Sequence, residues 1–364
     1  MSQPDYLFYE ADGNLEVVQG KTIAVLGYGN QGRSQALNMR DSGLSVIIGN
    51  RADAYFEKAQ KDGFEVMPIA EAVPRAEILF ILLPDEDTID IFAEHITPNL
   101  NSGQTLVFAS GYNLGFNLLK LTADIDILLI APRMIGVGVR ERYLTKEGFF
   151  SFISIHQDAS GNAKITLLGL TKAVGGLKTA VMMSFKDEAI LDLFDEQAFG
   201  PAFGRVLLDS IEVLIQNGLP PEAALIEMYI SEEMAYTYRK MAQIGLVKQT
   251  NFHSHTSQYG AMSHGMRYMG LGLKKIMQKT YDEIASGKFA KEWQKPSARV
   301  KFKIIKYFAM RQKINRIEEE VRKNLHLKSW DIDTTPDEIE ELLNASENHE
   351  EIEKLKQFFE IEDN

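Results

Sequence analysis

Short runs of apolar, largely β-branched residues, each separated from the next by a longer helical stretch, govern what this chain can fold into. They are Thr22–Leu26, Ser45–Ile48, Ile78–Leu82, Thr105–Phe108, Ile125–Ile130 and Phe149–His156. A short strand that is apolar throughout must be covered on both faces, and helices between successive strands provide that cover in a parallel sheet. The pattern predicts an α/β region from Lys21 to about Ser184. From Phe185 to about Leu325 the β signal stops. Asp187–Asn217, Pro221–Ile244, Gly260–Ser286 and Ser297–Arg322 carry apolar residues at three- and four-residue spacing, which predicts an all-helical region. The expected organisation is thus a sheet domain over 1–184, a helical domain over 185–327 and an acidic tail over 328–364. In the tail, Thr335 followed by Pro336, Asp337 and Glu338 reads as the start of a short helix.

Charge and composition narrow the classes of partner. A formal charge of −12 opposes binding to nucleic acid or to an anionic membrane surface. The one basic stretch, Lys295 to Lys306, is interleaved with apolar residues and reads as the wet face of a helix. There is no cysteine, which excludes a disulfide framework, a cysteine zinc site and a thiol nucleophile. Met1 to Gly20 lacks the apolar stretch of a signal peptide. The apolar run Ile78–Leu83 is far shorter than the ~20 residues that span a bilayer. These features predict a cytoplasmic protein.

Directly after the first strand comes Gly27-Tyr28-Gly29-Asn30-Gln31-Gly32, which opens the amphipathic stretch Gln31–Ser42. Glycine-rich turns are common, but a strand–turn–helix context at the start of a βαβ unit is specific to dinucleotide binding. Gly27 permits the tight turn, Gly29 lets backbone approach a pyrophosphate, and Gly32 lets helix and strand touch. The pyrophosphate would rest on the helix N-terminus, where free amides favour an anion. At the end of the second strand, where an NAD site usually places an acidic residue, stand Asn50 and Arg51. Arg51 could meet a 2′-phosphate, which favours NADP(H) over NAD(H), although Asp53 is close enough to oppose one.

Asp192 and Glu196 lie four residues apart at the head of the helical region, a spacing that puts two carboxylates on one helix face. Such a pair can bind Mg²⁺, which takes one or two carboxylates and keeps several waters. It can equally be an ordinary solvated acidic face near a helix start. Glu227, with Ser231, Glu232 and Glu233 after it, is a second acidic segment. His253, His255 and His264 fall near one another without the spacing of a zinc motif.

Taken together, these residues resemble ketol-acid reductoisomerase, the acetohydroxy acid isomeroreductase of branched-chain amino acid biosynthesis, over about Leu15 to Leu325. The glycine turn carries the resemblance with Ala36-Leu37-Asn38-Met39-Arg40-Asp41-Ser42-Gly43, Leu83-Pro84-Asp85-Glu86, Ala131-Pro132, Val139-Arg140 and Tyr143. Gln157-Asp158 with Ser160-Gly161, Asp192-Leu193-Phe194 with Glu196-Gln197, and Tyr259-Gly260 complete it. The resemblance implies a Rossmann domain joined to a knotted helical domain, two Mg²⁺ ions, and NADPH as the usual hydride donor. It also implies a homodimer through the helical domains, with Glu227 completing the partner's site. By the same resemblance Asp192 is the bridging metal ligand, Glu196 and Glu227 are further ligands, and Ser254 holds the substrate carboxylate. Pro84 and Ser110 fall along the dinucleotide.

Several functional positions depart from the family pattern. Ser110 and Val137 stand where the family has histidines, Arg133 stands where it has a lysine, and Ser231 stands where it has a carboxylate. A guanidinium stays charged and cannot serve as the proton donor that a tuned lysine can be. The expectation is therefore an NAD(P)H-dependent, Mg²⁺-assisted reductase with Arg133, Glu227 and Ser254 in catalytic roles. It would act on an altered 2-keto acid, imine or related carbonyl compound. Full ketol-acid reductoisomerase activity, and dinucleotide binding without catalysis, are the alternatives.

Overall fold

The computed structural model describes residues 4–327. The acidic tail over 328–364, with the helix expected after Thr335, lies outside them. The chain forms two compact units, one ending at Asp192 and the other beginning at Leu193.

The first unit is built on a nine-stranded sheet. Its strands are β1 (Leu7–Phe8), β2 (Thr22–Leu26), β3 (Ser45–Gly49), β4 (Glu65–Met67), β5 (Ile78–Ile81), β6 (Thr105–Phe108), β7 (Asp126–Pro132), β8 (Phe150–Gln157) and β9 (Thr179–Met182). They lie in the order β1-β9-β8-β7-β6-β5-β2-β3-β4. The helices are α1 (Asn30–Asp41), α2 (Ala54–Lys61), α3 (Ile69–Ala72), α4 (Asp85–Ile91), α5 (Tyr112–Gly115), α6 (Gly136–Leu144), α7 (Ala163–Val174) and α8 (Phe185–Phe194), of which the second unit takes the last turn.

Alternate residues of β2 serve two cores. Ile23 and Val25 pack with Ala36, Met39 and Leu170 on one face, while Ala24 and Leu26 pack with Ala72, Leu79 and Phe92 on the other. All these side chains are buried, which is why the central strands read as apolar at nearly every position after the first. β2 pairs in parallel with both β3 and β5, so the chain winds outward first to one side and then to the other. The crevice where the winding reverses, outside the strand ends, is where open α/β sheets bind ligands.

The sheet is mixed. β8 runs antiparallel to β7 and parallel to β9, and β1 runs antiparallel to β9. The parallel sheet expected from the sequence thus holds from β4 across to β7 but not where β8 meets β7 or β1 meets β9.

Phe185–Asp192 carries a helical pattern, yet it belongs to the first unit. Phe185 is buried in the core beneath β6, edge-on to Phe108.

The second unit is helical: α9 (Gly200–Gln216), α10 (Pro221–Leu225), α11 (Glu233–Ile244), α12 (His255–Gly265), α13 (Leu273–Ala285), α14 (Lys288–Trp293), α15 (Pro296–Ala309) and α16 (Lys313–Asn324). Each long helical stretch expected from the sequence is interrupted. Wide π-turns occur at Asp195–Phe199 and Ile226–Ile230, Glu232 has φ +61°, and Gly272 has φ +68°. The basic stretch Lys295–Lys306 falls mainly on α15, which buries Ile304 and Phe308.

Candidate active site

The glycine turn sits at the end of β2. Gly27 has φ +95°, and a Cβ there would lie 2.4 Å from the Leu82 carbonyl oxygen at the end of β5. A Cβ on Gly32 would lie 2.1 Å from the Gly27 carbonyl oxygen. These two glycines are demanded by the packing itself. Gly29 differs: it has ordinary backbone angles, caps α1, and a Cβ on it would meet nothing within 4 Å. Its bareness serves no contact within the chain, as expected of a cradle that keeps room for a ligand's phosphates.

This turn opens into a cleft of about 670 Å³, also lined by Asn50, Arg51, Asp53, Pro84, Asp85, Ser110 and Asn113. The cleft follows the carboxyl ends of β2, β3, β5 and β6, and its backbone cradle and volume fit a dinucleotide. Among the expected contacts, the Tyr28 amide donates to Asn50 Oδ1 at 3.2 Å. The Tyr28 ring is buried against Phe64 and its hydroxyl donates to Asp62 Oδ2 at 2.9 Å. Burial, followed by that hydrogen bond, raises the phenol well above its ordinary pKa. Asn30 opens α1 beside Gly136, while the Gln31 side chain donates to the Met134 carbonyl at 2.9 Å. Pro84 caps α4, its carbonyl accepting from Thr88. Ser110 Oγ accepts from the Tyr112 amide at 3.2 Å and lies 3.5 Å from Asp85 Oδ2.

At the adenosine end the sequence left Arg51 facing a possible phosphate and Asp53 opposing it. Arg51 Nε donates to Asp53 Oδ2 at 2.8 Å, although the arginine side chain is 81% exposed. Asp53 Oδ1 accepts from Asn50 Nδ2 and from the Tyr55 and Phe56 amides, capping α2. Partial desolvation of this carboxyl is outweighed by the Arg51 and backbone hydrogen bonds, which hold its pKa below the usual range.

The edited position, Arg133, follows β7 and is held on three sides. Its Nη1 donates to Asp192 Oδ1 at 2.9 Å, its Nη2 donates to Glu188 Oε1 at 3.1 Å, and its guanidinium lies 4.8 Å from the Phe152 ring centre. Glu188, which the sequence reading did not single out, is 1% exposed and accepts from the Gly111 amide at 2.6 Å. Burial pushes its carboxyl up to about 7, against the pull of that amide and of Arg133. The sequence signal for Glu188 was its place four residues before Asp192, one helical turn away.

The remaining expected residues lie in the second unit. Glu196 falls in the first π-turn, just past the end of α8. Glu227 falls in the second π-turn and is exposed, with Ser231 directly after it. Ser254 caps α12, its Oγ accepting from the Ser257 amide at 3.2 Å. Asp192, Glu196 and Glu227 offer the hard oxygens that Mg²⁺ takes. Asp192 Oδ1 is nonetheless bound to Arg133, and among the described residues no three His, Cys, Asp or Glu side chains stand where they could hold a metal ion.

Comparison with known proteins agrees with this geometry. Residues 17–180 match the family described as acetohydroxy acid isomeroreductase, NADPH-binding domain, and residues 185–326 match ketol-acid reductoisomerase, C-terminal domain. The chain is 41% identical over 287 residues to "Putative ketol-acid reductoisomerase 3" of Saccharolobus solfataricus, covering 78% of this chain and 86% of that protein. An NADH-preferring ketol-acid reductoisomerase from an uncultured archean superposes with a TM-score of 0.82 at 31% identity, over 87% of this chain and 98% of that one. A semialdehyde dehydrogenase NAD-binding protein from Cupriavidus necator shares the fold alone, at TM-score 0.56 and 17% identity over 74% of this chain and 98% of that one. The chain accordingly belongs to the ketol-acid reductoisomerase family and is an NAD(P)-dependent oxidoreductase of that kind.

Proposed function

We propose that this chain reduces a 2-keto acid, imine or related carbonyl compound whose structure differs from the family's usual substrate. The observation that carries this reading is Arg133, fixed between Glu188 and Asp192 where the resemblance expects a lysine, beside an intact dinucleotide cradle. A bound dinucleotide supplies the hydride. The Gly27–Gly32 turn sets its position, and the cleft past Pro84 and Ser110 takes its length. Arg133 offers a permanent positive charge to an anionic substrate or to negative charge developing on its oxygen. A guanidinium is a poor general acid, so the proton that accompanies the hydride comes from another group or from water.

The Arg51–Asp53 pair bears on the choice of cofactor. A 2′-phosphate gains Arg51 only by sharing it with Asp53, so NADPH is the donor but with a small margin over NADH. In the second unit, the high exposure of Met269 (83%), Tyr259 (77%) and Leu246 (70%) supports a homodimer that covers this helical surface with a second copy. Gel filtration with light scattering tests this, and a stable monomer at micromolar concentration overturns it. The described residues contain no helix long and apolar enough to cross a membrane. We place the enzyme in the cytoplasm, where a cysteine-free chain gains nothing from an oxidising environment.

Full ketol-acid reductoisomerase activity is the second reading, favoured by the relative at 41% identity whose name carries it. Incubation with 2-acetolactate, Mg²⁺ and NADPH or NADH separates the two. Efficient formation of the dihydroxy acid overturns the altered-substrate reading. Firm dinucleotide binding without turnover on a panel of keto acids and imines overturns both.

A further inference from the structure

We infer that Arg133, standing at the lysine's position, holds Asp192 through a hydrogen bond that competes with metal, so that this chain binds at most one Mg²⁺ tightly per active site. The inference deepens the proposed function at the same site, but it concerns metal binding and stands whether or not the substrate is altered.

Geometry carries the argument. The guanidinium spends Nη1 on Asp192 Oδ1 and Nη2 on Glu188 Oε1, which places one positive charge between two carboxylates. Glu188 is the floor of this arrangement. It is almost wholly buried, tied to the Gly111 amide, and unable to leave for a metal without stranding that amide. A Cβ on Gly111 would lie 2.1 Å from the Phe185 carbonyl oxygen and 2.8 Å from Glu188 Oε2, so the loop packs closely on the start of α8 and on this carboxylate. Phe152 closes one face of the guanidinium, and Arg133 Nε is buried without a hydrogen-bond partner. Among the described residues, Glu188, Asp192 and Phe152 are the side chains that hold the guanidinium.

A fixed guanidinium bound to Asp192 does two things to a divalent ion. It competes for the carboxylate oxygen, and it repels the ion's charge at short range. Lysine at this position would behave differently, since its single flexible ammonium can swing aside and cannot bridge both carboxylates through a planar fork. The loss of the carboxylate at Ser231 acts in the same direction, but it is a separate change in the second unit.

The test is Mg²⁺ titration calorimetry on the full chain, with Mn²⁺ paramagnetic resonance as an independent count of ions. The unmodified protein should bind no more than one ion tightly. Arg133→Met removes the charge and keeps most of the apolar stem, and it should tighten Mg²⁺ binding roughly tenfold or more, or add a second ion, since one unit charge a few ångströms away is removed. Arg133→Lys should fall between the two. Retained dinucleotide affinity and an unchanged circular dichroism spectrum certify the fold of each variant. Two equally tight ions in the unmodified protein overturn the inference without any variant. A folded Arg133→Met protein with unchanged stoichiometry and affinity overturns it as well.

Discussion

Replacing Gly29 by valine separates the fold from the dinucleotide. The bare Cα of Gly29 has φ −73°, ψ −158°, and an added Cβ meets no atom within 4 Å, so the folded chain accommodates a side chain there. The cost to stability is that of a poorer N-cap for α1, about 1 kcal/mol at most. The cost to binding is larger. A branched side chain at that point stands where a pyrophosphate approaches the amides, and loss of two hydrogen bonds to a charged group costs about 3–6 kcal/mol together. Dissociation constants for NADH and NADPH should therefore rise by at least ~100-fold, while the melting temperature falls by only a few degrees. Fluorescence titration of the reduced cofactors and thermal melting measure the two effects. Gly32→Val is the contrast, because its Cβ is driven into the Gly27 carbonyl and the protein should lose its fold. Unchanged affinity for both cofactors in Gly29→Val refutes the cradle.

Other perturbations address charge. Glu188 has a folded pKa near 7, above its ordinary 4.5, so the folded state binds the extra proton between those values and stability falls as pH rises through that window. Glu188→Gln should remove a drop of roughly 3 kcal/mol between pH 4.5 and 7, and a pH series of urea melts that stays parallel for the two proteins contradicts this. Asp53→Asn keeps an N-cap for α2 but frees Arg51, and should raise the NADPH-over-NADH preference about fivefold or more in Kd; an unchanged ratio places Arg51 away from the 2′-phosphate. Ser231→Glu returns a carboxylate beside Glu227 and should tighten Mg²⁺ binding severalfold by calorimetry, whereas a loss of affinity would show that the second π-turn does not face the metal.

The sequence was most legible where one physical demand fixes one residue type. The central strands β2, β5 and β6 were readable because burial on both faces leaves few polar positions, and the glycine turn because Gly27 and Gly32 have backbone in contact on the side where a Cβ would stand. β1, β4 and β9 were not, since two to four residues carry too little periodicity to distinguish an edge strand from a loop. The π-turns at Asp195–Phe199 and Ile226–Ile230 were invisible because one added residue per turn leaves the apolar spacing looking helical. At Arg133 the substitution was evident in the sequence, but its partners were not. Glu188 lies 55 residues away and only the fold brings it to 3.1 Å.

The pairing of β1 with β9 governs how the first unit is assembled as it is made. Leu7 and Phe8 pair with Val181 and Ala180, which follow them in the chain by most of the length of the unit. At roughly 5–20 residues per second of synthesis, the opening segment waits on the order of ten seconds or more for that edge to exist. Until then it has no sheet to join. The same pairing puts β1 and β9 at one edge of the sheet, where Met182 donates its amide to the Tyr6 carbonyl and Lys172 reaches the carbonyls of Glu10 and Gly13.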